Sequence, residues 1–246
     1  MYKLGLVSIS FRKNTVEEIL EAAKNAGLSC VEWGSDVHAP YGDIKALEKI
    51  AFLQKKYGIE CCSYGTYFKL GVTPIEELEA YINAAKILGT DILRLWCGDK
   101  SAEAYGEEEK KAFFEICKKA SQIAEKNSVK LCMECHNDTF TDNKESALEL
   151  MQAVDSSAFR MYWQPNQYKS IEENFAYSKL LKDYTEHIHV FNWEGENHYP
   201  LIDSVDLWKK YLEILGKDKC LLLEFMPDNK FETLPIEAEA LRKIAE

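Results

Sequence analysis

No apolar run in the 246-residue chain approaches the roughly 18 residues that a membrane-spanning helix needs, so no membrane span is expected. Proline is scarce (six residues) and glycine moderate (twelve), which excludes collagen-like and low-complexity disordered chains. Runs of basic residues are also missing. The longest basic clusters are pairs such as Lys55-Lys56 and Lys118-Lys119, and 41 acids against 30 bases leave a formal charge of -11. Such a surface repels phosphate backbones, so nucleic acid is not an expected partner. The opening segment MYKLGLVSISF lacks the long apolar core and small-residue cleavage site of a secretory leader and reads as a strand. Without a leader, the eight cysteines indicate free thiols in a reducing compartment, and a cytoplasmic location is expected. Cys132 and Cys135 match C-x-x-C. On a strand, residues three apart face opposite sides, so the pair cannot close on one metal.

What is present is a regular alternation. Short β-rich runs occur at Lys3–Phe11, Cys30–Trp33, Glu60–Tyr64, Ile92–Trp96, Lys130–Glu134, Phe159–Gln164, His187–Phe191 and Cys220–Phe225. An amphipathic helical pattern follows each of them. Thr15–Glu18 and Thr73–Glu76 have the form of capping boxes, and Gly27, Gly58 and Gly89 stand where helices should stop. Eight β-α units in about 250 residues are the arithmetic of a (β/α)8 TIM barrel of the α/β class, with residues 1–246 as a single domain. A doubly wound sheet would show a glycine-rich phosphate loop after the first strand. Ser10-Phe11-Arg12-Lys13-Asn14 is not one.

Catalytic groups in such barrels lie at the carboxyl ends of the strands. Those positions carry Glu32-Trp33, Tyr64, Arg94-Leu-Trp96, Glu134-Cys-His136, Trp163-Gln164, His189 and Glu224. Four of the five tryptophans (Trp33, Trp96, Trp163 and Trp193) fall at or just past a strand end. A bulky aromatic there either plugs the barrel mouth or offers a flat apolar face to a ring, and sugars with apolar C–H faces fit such walls. Glu134 and Glu224 each close a hydrophobic strand as a lone carboxylate. Burying one unpaired is costly, so each needs a cation or strong donor nearby. Arg94 can serve one of them. His187 and His189 share one strand face. Two carboxylates and the imidazole of His189 make a site for one divalent ion (Mn, Mg, Co or Zn), with the Gln164 amide oxygen as a fourth ligand.

At these residues the sequence resembles the xylose isomerase-like TIM barrel superfamily, in its sugar phosphate isomerase/epimerase branch. The resemblance runs over essentially the whole chain and includes Val31–His38, Ser63–Tyr67, Arg94–Trp96 and Leu222–Phe225. It implies that Glu134, His189 and Glu224 hold the metal and that the two glutamates are the proton-transfer bases. Gln164 takes the place of the family's aspartate. The chain departs from many relatives in two further places: in Gln164-Pro-Asn-Gln167, Gln167 stands where Asp-x-x-His has its histidine, and Gly195 stands where some carry an arginine. The loops after the seventh and eighth strands are acid-rich with a single lysine, which argues for an unphosphorylated sugar or keto-sugar.

The expectation is a metal-dependent sugar isomerase or epimerase in which Glu134 and Glu224 move a proton beside a carbonyl. Trp33, His38, Tyr64, Arg94, Trp96, His136, Trp163, Asn166 and Trp193 are the expected substrate contacts. A lyase or dehydratase of a keto-glycoside on the same metal site is the first alternative, and a non-catalytic sugar-binding barrel the second. An abasic-site endonuclease of the same superfamily needs several metals and a basic groove, which five histidines and a charge of -11 do not supply. Acidic barrels of this kind often pair, so a homo-oligomer is compatible with the sequence.

Overall fold

The computed structural model describes residues 1–246. Eight parallel strands close into a barrel: β1 Lys3–Val7, β2 Cys30–Gly34, β3 Glu60–Leu70, β4 Ile92–Cys97, β5 Lys130–Glu134, β6 Phe159–Trp163, β7 Thr185–Val190 and β8 Cys220–Leu223. Each strand pairs with its sequence neighbours, and β8 closes on β1 through Lys3↔Cys220 to Leu6↔Leu223. The helices are α1 Val16–Asn25, α2 Ile44–Tyr57, α3 Leu78–Leu88, α4 Glu107–Asn127, α5 Lys144–Val154, α6 Ile171–Leu181, α7 Val205–Leu215 and α8 Leu234–Ala245. The (β/α)8 architecture is therefore as the sequence pattern indicates, and no helix is long and apolar enough to cross a membrane.

Local signals explain several boundaries. Thr15 and Glu18 form the expected reciprocal capping box, which satisfies two otherwise orphaned backbone donors at the start of α1. Gly58 and Gly89 end α2 and α3 in the left-handed conformation that a Cβ would disfavour. Thr73–Glu76 is not a capping box. A 3-10 turn, Ile75–Glu77, precedes α3 without a side-chain cap, and the Thr73 hydroxyl instead accepts from the Lys69 backbone.

The first strand stops at Val7 rather than Phe11, because Ser8–Phe11 turns as 3-10 helix across the barrel mouth. There Ser8 Oγ accepts from the Gly34 amide and Ser10 Oγ from the Phe225 amide, tying the turn to strands on either side. β3 runs six residues beyond Tyr64, to Leu70. A short hairpin, Trp193–Glu194 with Asn197–His198, also stands over the mouth and gave no periodic signal.

Two apolar layers hold the barrel. Side chains pointing outward, including Trp33, Leu93, Leu131, Met133, Trp163, Leu221 and Leu223, pack with the helices in one cluster of 61 buried residues. A smaller interior cluster, including Cys30, Ile92, Cys132, Tyr162, Cys220 and Leu222, fills the lumen below the mouth. Complete burial of one large aliphatic side chain contributes about 1.5–3 kcal/mol, so the outer cluster dominates stability. It also holds rigid the strand ends that carry the polar groups.

Candidate active site at the barrel mouth

Alternation along each strand decides which polar residues meet. Glu32, Ser63, Arg94, Glu134, Tyr162 and His189 take interior positions, while their neighbours Trp33, Tyr64, Leu95, Met133, Trp163 and Ile188 face the helices. Glu224 follows β8 directly, and the backbone at Phe225 then turns away with φ 48°. The interior groups form one connected set.

Arg94 donates from Nε to Glu32 Oε1 (3.0 Å) and from Nη1 to Glu134 Oε2 (2.5 Å). Trp96 Nε1 donates to the same Glu134 oxygen. Ser63 donates to Glu32 Oε2 at 2.6 Å. His189 is the hub. Its Nδ1 lies 2.9 Å from Gln164 Oε1, 3.3 Å from Glu224 Oε2 and 3.5 Å from Glu134 Oε1. Its Nε2 lies 3.4 Å from Glu32 Oε1, yet has no aligned hydrogen bond and is fully buried.

The charges are strongly coupled. Burial works against ionisation of Glu134, but Arg94 and His189 hold its carboxyl down at about 2. Glu32 is likewise opposed by burial and is held below the usual carboxylate range by Arg94 and His189. Burial disfavours the charged form of His189. The Glu224 and Glu32 carboxylates overcome that and hold its imidazole well above the usual histidine range.

These residues fit a divalent cation. Three carboxylates and one guanidinium, with the imidazole neutral, leave a buried charge of -2, and one divalent ion would balance it. Ligand atoms of Glu134, His189 and Glu224 all lie within 4.8 Å of one another, and the Gln164 oxygen joins them at His189 Nδ1. Without the ion, the proton on His189 takes the place of that positive charge. Glu32 then sits behind the ring, where a carboxylate orients a metal-bound imidazole.

A cavity of about 280 Å³ opens above this set, just below the usual range for small-molecule sites. Arg94, Trp96, Glu134, His136, Gln164, Asn166, Trp193 and Glu224 line it, together with Arg12 and Tyr67. The His136 ring stacks on Trp96 with centroids 4.5 Å apart. Its Nδ1 lies 2.7 Å from the Asn137 carbonyl, so Nδ1 carries a proton and Nε2 is the ring's free nitrogen. Asn166 is fixed by Nδ2 donating to Asn137 Oδ1 at 2.6 Å. Trp193 stacks on His198 and donates to the Phe225 carbonyl.

Four of the expected substrate contacts lie elsewhere. Trp33 faces the helices and donates to Gln54 of α2 at 3.0 Å. Tyr64 also points outward, with its hydroxyl on the Ala39 carbonyl at 2.6 Å. Trp163 packs among Trp208 and Tyr211 in the outer layer. His38 has Nδ1 3.1 Å from Ser8 Oγ and Nε2 3.2 Å from the Asn14 carbonyl, so both ring nitrogens are already engaged. In three of these cases the period-two alternation turns the strand residue away from the lumen and puts its neighbour inside.

Arg94 is at the site, but as a buried counterion to Glu32 and Glu134. Glu32, not the expected Trp33, is the β2 residue at the site. A lone acid two residues after Cys30 in an apolar strand is the same pattern that singles out Glu134 and Glu224.

Comparison with known proteins agrees with this architecture. A curated 3-dehydroshikimate dehydratase of Bacillus anthracis is 23% identical over 162 residues, 62% of this chain, and the match spans 58% of that relative's length. The crystal structure of the probable 3-DHS dehydratase AsbF of the same organism superposes with TM-score 0.84 at 18% identity, over 98% of this chain and 99% of that one. The apo 3-keto-D-glucoside 4-epimerase YcjR of E. coli superposes with TM-score 0.74 at 11% identity, over 100% and 99% of the two chains. Residues 20–244 match the family described as xylose isomerase-like TIM barrel, and the chain belongs to that family.

Proposed function

We propose that the chain is a metal-dependent lyase that removes water from a small polyhydroxylated cyclic ketone, starting with proton removal beside the carbonyl. The inequality of the two glutamates carries this reading. An epimerase needs two carriers that trade a proton across the substrate. Glu134 is a poor carrier, because one of its oxygens accepts from both Arg94 and Trp96. Glu224 has no such donors, and its one ion-pair contact is with His189. The free nitrogen in the cavity is His136 Nε2. Elimination needs only one shuttle, and with both glutamates assigned to the ion that role falls to His136.

A divalent ion held by Glu134, Gln164, His189 and Glu224 would supply Lewis acidity, making the C–H beside a bound carbonyl more acidic. His136 Nε2 takes that proton. The C–H electron pair becomes a C=C bond as the C–OH bond on the next carbon breaks, and the imidazolium returns its proton to the departing hydroxyl, releasing water. The Asn137 carbonyl on Nδ1 and the Trp96 face hold the ring in one tautomer and one orientation. Asn166 and Arg12 stand at the wall to meet substrate oxygens. The modest cavity suits one ring, and the dehydratase activity named for the Bacillus anthracis proteins supports elimination over epimerisation.

The test is incubation of Mn2+-loaded protein with 3-dehydroshikimate, from which loss of water gives an aromatic dihydroxybenzoate read by ultraviolet absorbance. Metal-dependent absorbance growth is expected. His136→Asn should lower it about 10²–10⁴-fold while metal stoichiometry stays the same. Keto-sugars that return as deuterated epimers from D2O, with no loss of water from any substrate, would restore the epimerase reading. Ring binding without turnover would indicate the sugar-binding barrel.

A further inference from the structure

We infer that the opposite end of the barrel holds a second metal site, a structural zinc bound by Cys30, Cys62 and Cys220. The three sulfurs come from β2, β3 and β8 and lie within 4.8 Å of one another. That spacing lets three thiolates share one ion at the ordinary zinc–sulfur distance of about 2.3 Å.

Two backbone features assemble the cluster. The pairing of β2 with β3 skips a residue between Val31↔Cys61 and Glu32↔Ser63, so Cys62 is the extra residue of a β-bulge. Without that bulge Cys62 and Ser63 would face opposite sides; with it, Cys62 joins the interior thiols while Ser63 still reaches Glu32. Gly5 of β1 supplies the space. A Cβ there would come within 2.6 Å of the Cys30 sulfur and of a Leu222 methyl. The thiols thus straddle β1, the seam where the first and last strands close the barrel.

An entry path is also present. Cys62 and Cys220 line an open cleft at the barrel bottom, with His187 beside them. The His187 Nε2 is 3.3 Å from the Cys62 carbonyl and its Nδ1 2.8 Å from the Glu186 carbonyl, so both ring nitrogens are engaged with the backbone. Charge selects the ion. The cleft balances Lys3, Lys219 and the amino terminus against Glu60, Asp91 and Asp218, so the thiolates set the local charge. Three thiolates leave -1 around Zn2+ and -2 around Cu+, which favours the divalent ion in a buried setting. On binding, three S–H protons pass to solvent as three S–Zn bonds form, and water from the cleft completes the tetrahedron. At the barrel bottom, away from the strand ends that carry the cavity, such a site adds stability rather than chemistry.

Cobalt titration of the reduced full-length chain tests this. Only thiolate ligation gives the intense sulfur-to-cobalt charge-transfer band, so the oxygen and nitrogen ligands at the mouth cannot mimic it. The expected result is a band that saturates at one ion per chain, is displaced by Zn2+, and raises the melting temperature. It should disappear in Cys62→Ser and in Cys220→Ala, and persist in Glu224→Gln and in Cys132→Ala, whose sulfur lies outside the cluster. Cys62 is only half-buried, so its variant should fold, which circular dichroism checks. No band in folded, reduced wild type would overturn the proposal and leave the thiols as packing. So would a band that survives Cys62→Ser, or a native disulfide joining any two of the three.

Discussion

The two ends of the barrel lumen are built from the same strands one pleat apart, yet their chemistry is opposite. Cys30 precedes Glu32 on β2, Cys132 precedes Glu134 on β5, His187 precedes His189 on β7, and Cys220 lies four residues before Glu224. Two residues along a strand are about 6.6 Å, so hard oxygen-bearing and soft sulfur-bearing side chains sit in neighbouring layers. Tyr162 separates them, with its hydroxyl 3.0 Å from Ser63 Oγ and its ring 4.6 Å from that of His189. The mouth carries a net buried negative charge that a cation must balance, whereas the bottom is neutral until its thiols lose protons. The charged end should therefore be sensitive to single substitutions and to pH, and the thiol end tolerant of them.

The largest expected effect is at Arg94. In metal-free protein Arg94→Met leaves Glu32 and Glu134 buried without their cation and should cost about 3–5 kcal/mol in urea unfolding. Cys132→Ala at the other end should cost only about 1 kcal/mol in the same assay. Comparable losses would break the contrast.

Protonation sharpens it next. The folded-state value of His189 is raised, so the stability it adds to the metal-free chain is complete below its ordinary value of 6.5 and lost as pH rises through the raised value. Glu134 is depressed to about 2, so its contribution is complete above its ordinary value of 4.5 and lost as pH falls toward 2. Melting temperature of the metal-free protein should thus fall toward both extremes. Saturating Mn2+ should flatten the alkaline limb, because the ion replaces the His189 proton. Calorimetry in two buffers of different ionisation enthalpy should show about one proton released per ion bound.

Gln164→Glu adds a fourth carboxylate at the mouth and should tighten Mn2+ about tenfold, read by isothermal titration, with slower turnover as the ion polarises substrate less. The smallest effect is expected outside the lumen. Trp33→Phe removes the hydrogen bond to Gln54 and should cost about 1 kcal/mol with kcat/KM unchanged. A large loss of activity there would return Trp33 to the site.

Much of the site was legible because its signals are local. Glu134 and Glu224 stand out as lone acids ending apolar strands, and His189 as the second of two histidines on one face. Trp96, His136, Asn166 and Trp193 lie in or beside strand-end segments and do line the cavity. Trp33, Tyr64 and Trp163 were misplaced because strand ends in the sequence carry no mark of which alternating face looks inward. One register step exchanges Glu32 for Trp33 and Tyr162 for Trp163. His38 was misplaced for a different reason: only the folded loops show the Ser8 and Asn14 oxygens that occupy its ring.

By itself the sequence determined eight β-α units and a barrel, because apolar periodicity and helix stops act over a few residues and need no knowledge of the rest of the chain. It also determined that two acids and an imidazole would meet at the strand ends, since a parallel barrel brings all those ends to one rim. Only the tertiary structure decided which carboxylate Arg94 would bind, that Glu32 would complete the charge, and that Cys62 would turn inward to meet Cys30 and Cys220. Those outcomes rest on strand register, a bulge and a glycine-sized gap between chain segments as much as 217 residues apart (Gly5 to Leu222). No local pattern encodes such a coincidence of positions, because the contacts exist only once the barrel has closed.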